Sequence, residues 1–181
     1  MIRFTVALIV LVVGLQGCKE SATSSGQNVD HDGVTTVTLT LTNTATLSTQ
    51  SFIWEDLDGV GGAAPNRIDT ISVAADSVYQ GSLAFENRKA SPPVNITIDV
   101  LNERNNHQVF YAIAGAMATV TTTDLDGRNL PLGLKTNWSN LKKSLGAITV
   151  SLSHYPDSTT KKGTNPSTET DVNVVMPLTI R

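Results

Sequence analysis

Thr36-Val37-Thr38-Leu39-Thr40-Leu41-Thr42 alternates without a break between hydroxyl and aliphatic side chains. A period of two sets Val37, Leu39 and Leu41 on one face of an extended chain and the threonines on the other, which reads as a half-buried β-strand. The same period recurs downstream. Phe52 and Trp54 alternate with Ile53 and Glu55. Tyr79, Gly81, Leu83 and Phe85 share a face opposite Ser82, Ala84 and Glu86. Val94, Ile96, Ile98 and Val100 alternate with Asn95, Thr97 and Asp99. Shorter runs follow at Gln108 to Ile113, Ala118 to Thr123, and across Leu130, Leu132 and Leu134. Ile148, Val150 and Leu152 form another face, and Val172, Val174, Met176, Leu178 and Ile180 the last.

Turn residues punctuate these runs at Asp58-Gly59, Ser91-Pro92-Pro93, Asp126-Gly127, Tyr155-Pro156 and Asn165-Pro166. The best window for a helix is Asn137 to Leu145, with Trp138, Leu141 and Leu145 in step. About eight or nine antiparallel strands at this spacing predict an all-β, immunoglobulin-like sandwich, with a closed barrel as the alternative that alternation equally allows. Two loops stand out by length, Asp56 to Ile68 and Asp157 to Asp171, and loops at strand ends are where a sandwich carries binding.

Before the first strand the chain has a different character. Arg3, the apolar run Phe4 to Val13 and Leu15-Gln16-Gly17-Cys18 compose a bacterial lipoprotein leader, cut before Cys18. The apolar run is short of the ~20 residues that a bilayer needs. The expected organisation is a leader over 1–17, a lipidated Cys18 with a polar tether over 18–33, and one β domain over 34–181. Two or three acyl chains on Cys18 would hold the membrane stably where one would not. A tether of about 15 residues has an r.m.s. reach of roughly 20 Å. Lys19 after the cysteine argues against inner-membrane retention, and Lys19-Glu20 is similar to a charged surface-export tag. The expected address is the outer membrane, on its periplasmic face or at the cell surface.

Cys18 is the only cysteine of 181 residues, so the domain has no disulfide, no thiolate metal site and no cysteine nucleophile. With 13 basic and 16 acidic side chains the net charge is −3, and no basic patch is present to hold phosphates. That composition argues against nucleic acid as a partner. No His-Glu-x-x-His, no Gly-x-Ser-x-Gly and no phosphate loop occurs. Glu55 with Asp56 or Glu86 are the acids that a hydrolase reading would use, with nothing to single them out.

Asp-Leu-Asp-Gly occurs twice, and its carboxylates Asp56, Asp58, Asp124 and Asp126 are candidate calcium ligands. Val60 and Arg128 fall where a fifth-position oxygen belongs, and Arg67 and Lys135 where a bidentate acid belongs, so a plain hairpin turn explains both copies. His107 and His154 stand isolated, and His31 lies in the tether between Asp30 and Asp32. Asp69-Thr70-Ile71, Asp76-Ser77-Val78 and Asp157-Ser158-Thr159 match a bacterial O-glycosylation pattern, with Thr70, Ser77 and Ser158 as acceptors. The aromatic residues share faces with aliphatic ones and read as core; an exposed Tyr111 or Tyr155 would instead suggest a carbohydrate or peptide platform.

Four stretches taken together carry a family resemblance. They are His107-Gln108-Val109-Phe110-Tyr111, the run Asp124-Leu125-Asp126-Gly127-Arg128-Asn129-Leu130-Pro131-Leu132-Gly133-Leu134, Leu152-Ser153-His154-Tyr155-Pro156, and Glu169-Thr170-Asp171-Val172-Asn173-Val174. From about Trp54 onward the chain resembles small bacterial outer-membrane lipoproteins often labelled "type 1 periplasmic-binding domain". That label implies two α/β lobes of about twice this length, which the alternation here does not supply. The resemblance implies an envelope address and brings no catalytic residues. The function expected is a lipid-anchored binding module for an envelope protein or carbohydrate. The alternatives are an accessory subunit docked on an outer-membrane complex and a cryptic hydrolase.

Overall fold

The computed structural model describes residues 33–59 and 62–181. Cys18, His31 and nearly all of the expected leader and tether lie outside them. Two open sheets pack face to face. The first holds β2 (Thr49–Glu55), β1 (Thr36–Asn43), β5 (Tyr79–Asn87), β9 (Lys135–Lys142) and β8 (Met117–Thr122) in that order. Two-residue strands extend it: β3 (Arg67–Ile68) on β2 and β6 (Val94–Asn95) on β5. The second sheet runs β4 (Ile71–Val73), β11 (Glu169–Ile180), β10 (Ser144–His154) and β7 (His107–Ala114). Each sheet has two free edges, so the fold is a sandwich and not a closed barrel. Among the described residues every pairing is antiparallel except β4 on β11, which is parallel.

The alternation does what it predicted in β1. Val37, Leu39 and Leu41 are buried, while Thr40 and Thr42 meet Ser51 and Thr49 across the strand pair at 2.9 Å on the wet face. Ile148, Val150 and Leu152 face Val172, Val174, Met176, Leu178 and Ile180 from neighbouring strands of the second sheet and close the core. Trp138 and Phe85 are fully buried between the sheets. Among the described residues no helix is long and apolar enough to cross a membrane.

Three expectations are corrected. Val94 to Val100 is not a strand: after β6 the chain turns into α1 (Ile96–Asn102), which buries Ile96 and Val100 and leaves Ile98 exposed. The cause is Thr97, whose hydroxyl accepts from the Phe85 amide at 2.8 Å and donates to the Phe85 carbonyl at 3.2 Å. One side chain thereby replaces both backbone partners of the next ladder rung, and the Asn95 side chain caps the helix by accepting from Thr97 N at 3.1 Å. Asn137 to Leu145 is not helical: it forms β9 and the start of β10. Asn140 at φ 51° marks a register shift against β8, which returns both Trp138 and Leu141 to the core at a helix-like spacing of three. Leu130 to Leu134 is a loop, because the Asp124 carboxylate takes the amides of Gly133 and Leu134 at 2.9 and 3.1 Å.

The passage from β7 to β8 switches sheets at Gly115 (φ 79°) and presses on Gly146. A Cβ at position 146 would lie 2.2 Å from both Ala114 O and Ala116 N. Both atoms are backbone and cannot swing aside. Gly146→Ala is therefore expected to destabilise the domain by about 1–3 kcal/mol, as overpacking does. A urea midpoint equal to that of the wild type would refute the close approach.

Candidate functional site

The segments that carried the family resemblance meet at one end of the sandwich, and Lys161 joins three of the chain's turns there. Its ammonium is 1% exposed for the residue as a whole and donates to Arg104 O at 3.1 Å, His107 O at 2.7 Å and Asp126 Oδ2 at 2.9 Å. An ammonium has three protons, and all three are engaged. Asp126 is equally enclosed: its Oδ1 accepts from Arg128 N at 2.7 Å and Leu130 N at 2.9 Å. Arg128 reaches from the same turn to Asn105 O at 2.8 Å and to Ser158 O.

Ionisation at this pair follows its surroundings. Burial alone would raise the Asp126 carboxyl, but the Leu130 amide, Lys161 and the Arg128 amide outweigh it and hold it below the ordinary carboxylate value. Burial pushes the Lys161 ammonium down, and the Asp126 contact only partly offsets this. The two shifts do not describe a pair that strengthens both partners. Two backbone amides hold the Asp126 carboxylate in addition to Lys161. The pair orders loops more than it adds net stability.

The second Asp-Leu-Asp-Gly thus holds a cation, and the cation is Lys161. In the first copy Asp56 Oδ1 accepts from Gly59 N at 3.1 Å and Asp58 Oδ2 from Ala63 N at 2.8 Å, which are turn-closing bonds. The Ala63 amide and the Asp56 side chain lower the Asp58 carboxyl. Among the described residues no three His, Cys, Asp or Glu side chains converge as a metal-ligating group.

The histidines that stood apart in sequence come together. His107 is fully buried and stacks on His154, with ring centroids 4.9 Å apart and planes 18° from parallel. His107 Nε2 faces Asp171 Oδ2 at 3.4 Å, and His154 Nδ1 faces Glu169 Oε2 at 3.3 Å. His107 Nδ1 lies 3.1 Å from Glu103 O. Strand parity carried this signal: His107 continues the inward face of Val109, and His154 that of Val150 and Leu152. Lys161 gave no such sign, since it sits in a polar loop beside Lys162.

That loop is pinned along its length. Tyr155 N donates to Asn106 O and Asn106 Nδ2 to Tyr155 O, each at 2.7 Å. Gln108 Nε2 donates to Gly163 O at 3.1 Å, and Tyr155 OH to Asn165 O at 2.5 Å. Open clefts border it. One of about 670 Å³ is lined by Glu103, Asn106, His154, Pro156 and Glu169. Another of about 570 Å³ runs under Asp157, Lys162, Thr164 and Pro166. A third of about 370 Å³ lies between Phe110, Ser151 and Asn173 on the outer sheet face and Pro166 and Ser167. Beside it Gln108 Oε1 and Ser153 Oγ, on facing positions of β7 and β10, are buried without a hydrogen-bond partner among the described residues.

The other residues singled out by sequence lie elsewhere. Glu55 and Glu86 are bridged by Arg88 at 3.2 and 2.7 Å. Thr70 is exposed, and Ser77 and Ser158 are half-buried. Tyr155 is buried, and the Tyr111 hydroxyl donates to Gly133 O at 2.8 Å, its pKa pushed up by burial and by Asp124, so neither ring offers an open platform. Comparison with family models, curated proteins and solved structures finds no match to this chain.

Proposed function

We propose that this chain is a lipid-anchored, non-catalytic binding module of the outer membrane, held at Cys18 and engaging an envelope or extracellular partner through the loop end of the sandwich. The observation that carries this reading is the Lys161 hub. A desolvated ion pair is spent on fixing the turns at Arg104–His107, Asp126–Leu130 and Tyr155–Ser167, with clefts left open between them. Preformed loops lower the entropy lost on association, which is what a binding surface requires. Catalysis has less support. Lys161 has no lone pair or spare proton to offer, and Glu55 and Glu86 are tied to a guanidinium instead of facing a shared void.

The address rests on the leader run, the lone Cys18 and Lys19. The described chain enters the domain at Gly33, at the end of the sandwich where α1 leads into the loop cluster. The partner in this reading is therefore membrane-proximal, and an outer-membrane complex served by this chain as accessory subunit is the second form of the same proposal. The test is affinity isolation of the chain from crosslinked intact envelopes. Wild type is expected to recover one envelope component. Thr164→Arg, an exposed change inside the 570 Å³ cleft, is expected to lose most of it with an unchanged urea midpoint. Equal recovery by both chains would contradict the reading.

A further inference from the structure

We infer that the exposed face of α1, with Val94, is a lipid-contacting pad that seats this end of the domain on the membrane surface. The inference rests on the anchored reading of Cys18. Ile98 and Leu101, three apart on the helix, are 54% and 44% exposed, and Val94 before them is 46% exposed. They lie on the side of α1 away from Ile96 and Val100, which are in the core. Seven helical residues that bury two aliphatic side chains and expose two others have an apolar face with no partner among the described residues.

The occupant follows from where the chain enters. Gly33 packs against Asn87, which pairs with Val94 across β5 and β6, so the entering segment and the pad are neighbours. From Cys18 to Gly33 the chain runs fifteen residues. β10 alone, with 11 residues at about 3.3 Å each, makes the sandwich roughly 36 Å long. A chain anchored at Cys18 and entering at Gly33 brings the α1 end to the bilayer before the opposite end, which carries Leu47 and Leu145. Among the described residues, exposed Lys89 and Arg104 flank α1 in the chain, Arg88 is taken by Glu55 and Glu86, and Asp58, Asp99 and Glu103 supply negative charge, Asp58 toward Lys89. The pad is thus near neutral. Its contact with lipid is apolar and not a response to anionic headgroups.

The test uses the mature chain coupled at Cys18 to a maleimide phospholipid in phosphatidylethanolamine–phosphatidylglycerol vesicles, with a benzophenone amino acid at position 98 or, in a second preparation, at position 47. Lipid adducts at 98 are expected to exceed those at 47 by about tenfold or more, the partition change that burying a large aliphatic side chain brings. Equal yields, or more at 47, would overturn the pad. Chemical coupling imposes the anchor, so this outcome is independent of whether the cell acylates Cys18. The intact mass of the chain extracted from envelopes reads that separately, and a mass without acyl chains would overturn the anchored reading and, with it, the pad's role in the cell.

Discussion

Lys161→Met is expected to destabilise the domain by about 3–5 kcal/mol, the usual result of stripping one partner from a buried ion pair. The lost pair itself is the smaller part of this. Asp126 is left as a buried carboxylate, and Arg104 O and His107 O each lose a donor. Adding Asp126→Asn removes the charge but keeps an oxygen for the Arg128 and Leu130 amides, so the double variant should recover more than half of the loss. A double variant no more stable than Lys161→Met would show that the charge of Asp126 is not what Lys161 neutralises.

The pH dependence has a definite sign. The folded Asp126 carboxyl lies below its ordinary value of 3.8, so its ionisation contributes stability that is complete above that value and is lost as pH falls through the folded one. Lys161 works in the opposite arm: folding lowers it from 10.5, so its own contribution grows as pH rises from the folded value toward 10.5. Urea midpoints across pH should therefore show an acid loss in the wild type that sets in at higher pH in Lys161→Met, where one support of the carboxylate is gone.

Trp138→Ala is expected to cost a further and separate 3–5 kcal/mol or so, by cavity formation in a core that cannot collapse around it. The indole is fully buried, opposite Val120 on one neighbouring strand and Tyr79 on the other. Its Nε1 donates to Thr136 Oγ1 at 3.0 Å. Space for the ring exists because position 81 is glycine: a Cβ there would lie 3.0 Å from the indole nitrogen and 2.3 Å from Thr136 Oγ1. Trp138→Phe keeps most of the volume and should lose much less. A urea midpoint for Trp138→Ala within about 1 kcal/mol of wild type would mean that the ring is not a fixed core element.

The sandwich was legible because alternation is a backbone property, and wherever one face is buried it survives into the fold, as in β1 and β11. The misreadings came from residues whose role is set by tertiary partners. Ile96 and Val100 fit both a period of two and a helical step of four, and the arbiter was Thr97, whose hydroxyl satisfies Phe85 on another strand. Trp138 and Leu141 looked helical because an irregularity at Asn140 gives a strand the same spacing. At the candidate site, the stacked histidines could be anticipated from parity. The Lys161 hub could not: a lysine in a polar loop shows no sequence sign that 35 residues upstream an aspartate awaits it. The repeated Asp-Leu-Asp-Gly allowed calcium or plain turns; both copies make turn-closing bonds, and in the second Asp126 also accepts from the chain's own Lys161.

The most direct measurement of the central claim, that the loop end is the binding end, is a residue-resolved crosslink map from intact envelopes. Crosslinks to a partner concentrated on 103–106 and 155–169 are the expected result. Crosslinks concentrated on the hairpin around Leu47 or on the threonine face of β1, with none at the loop end, would contradict it.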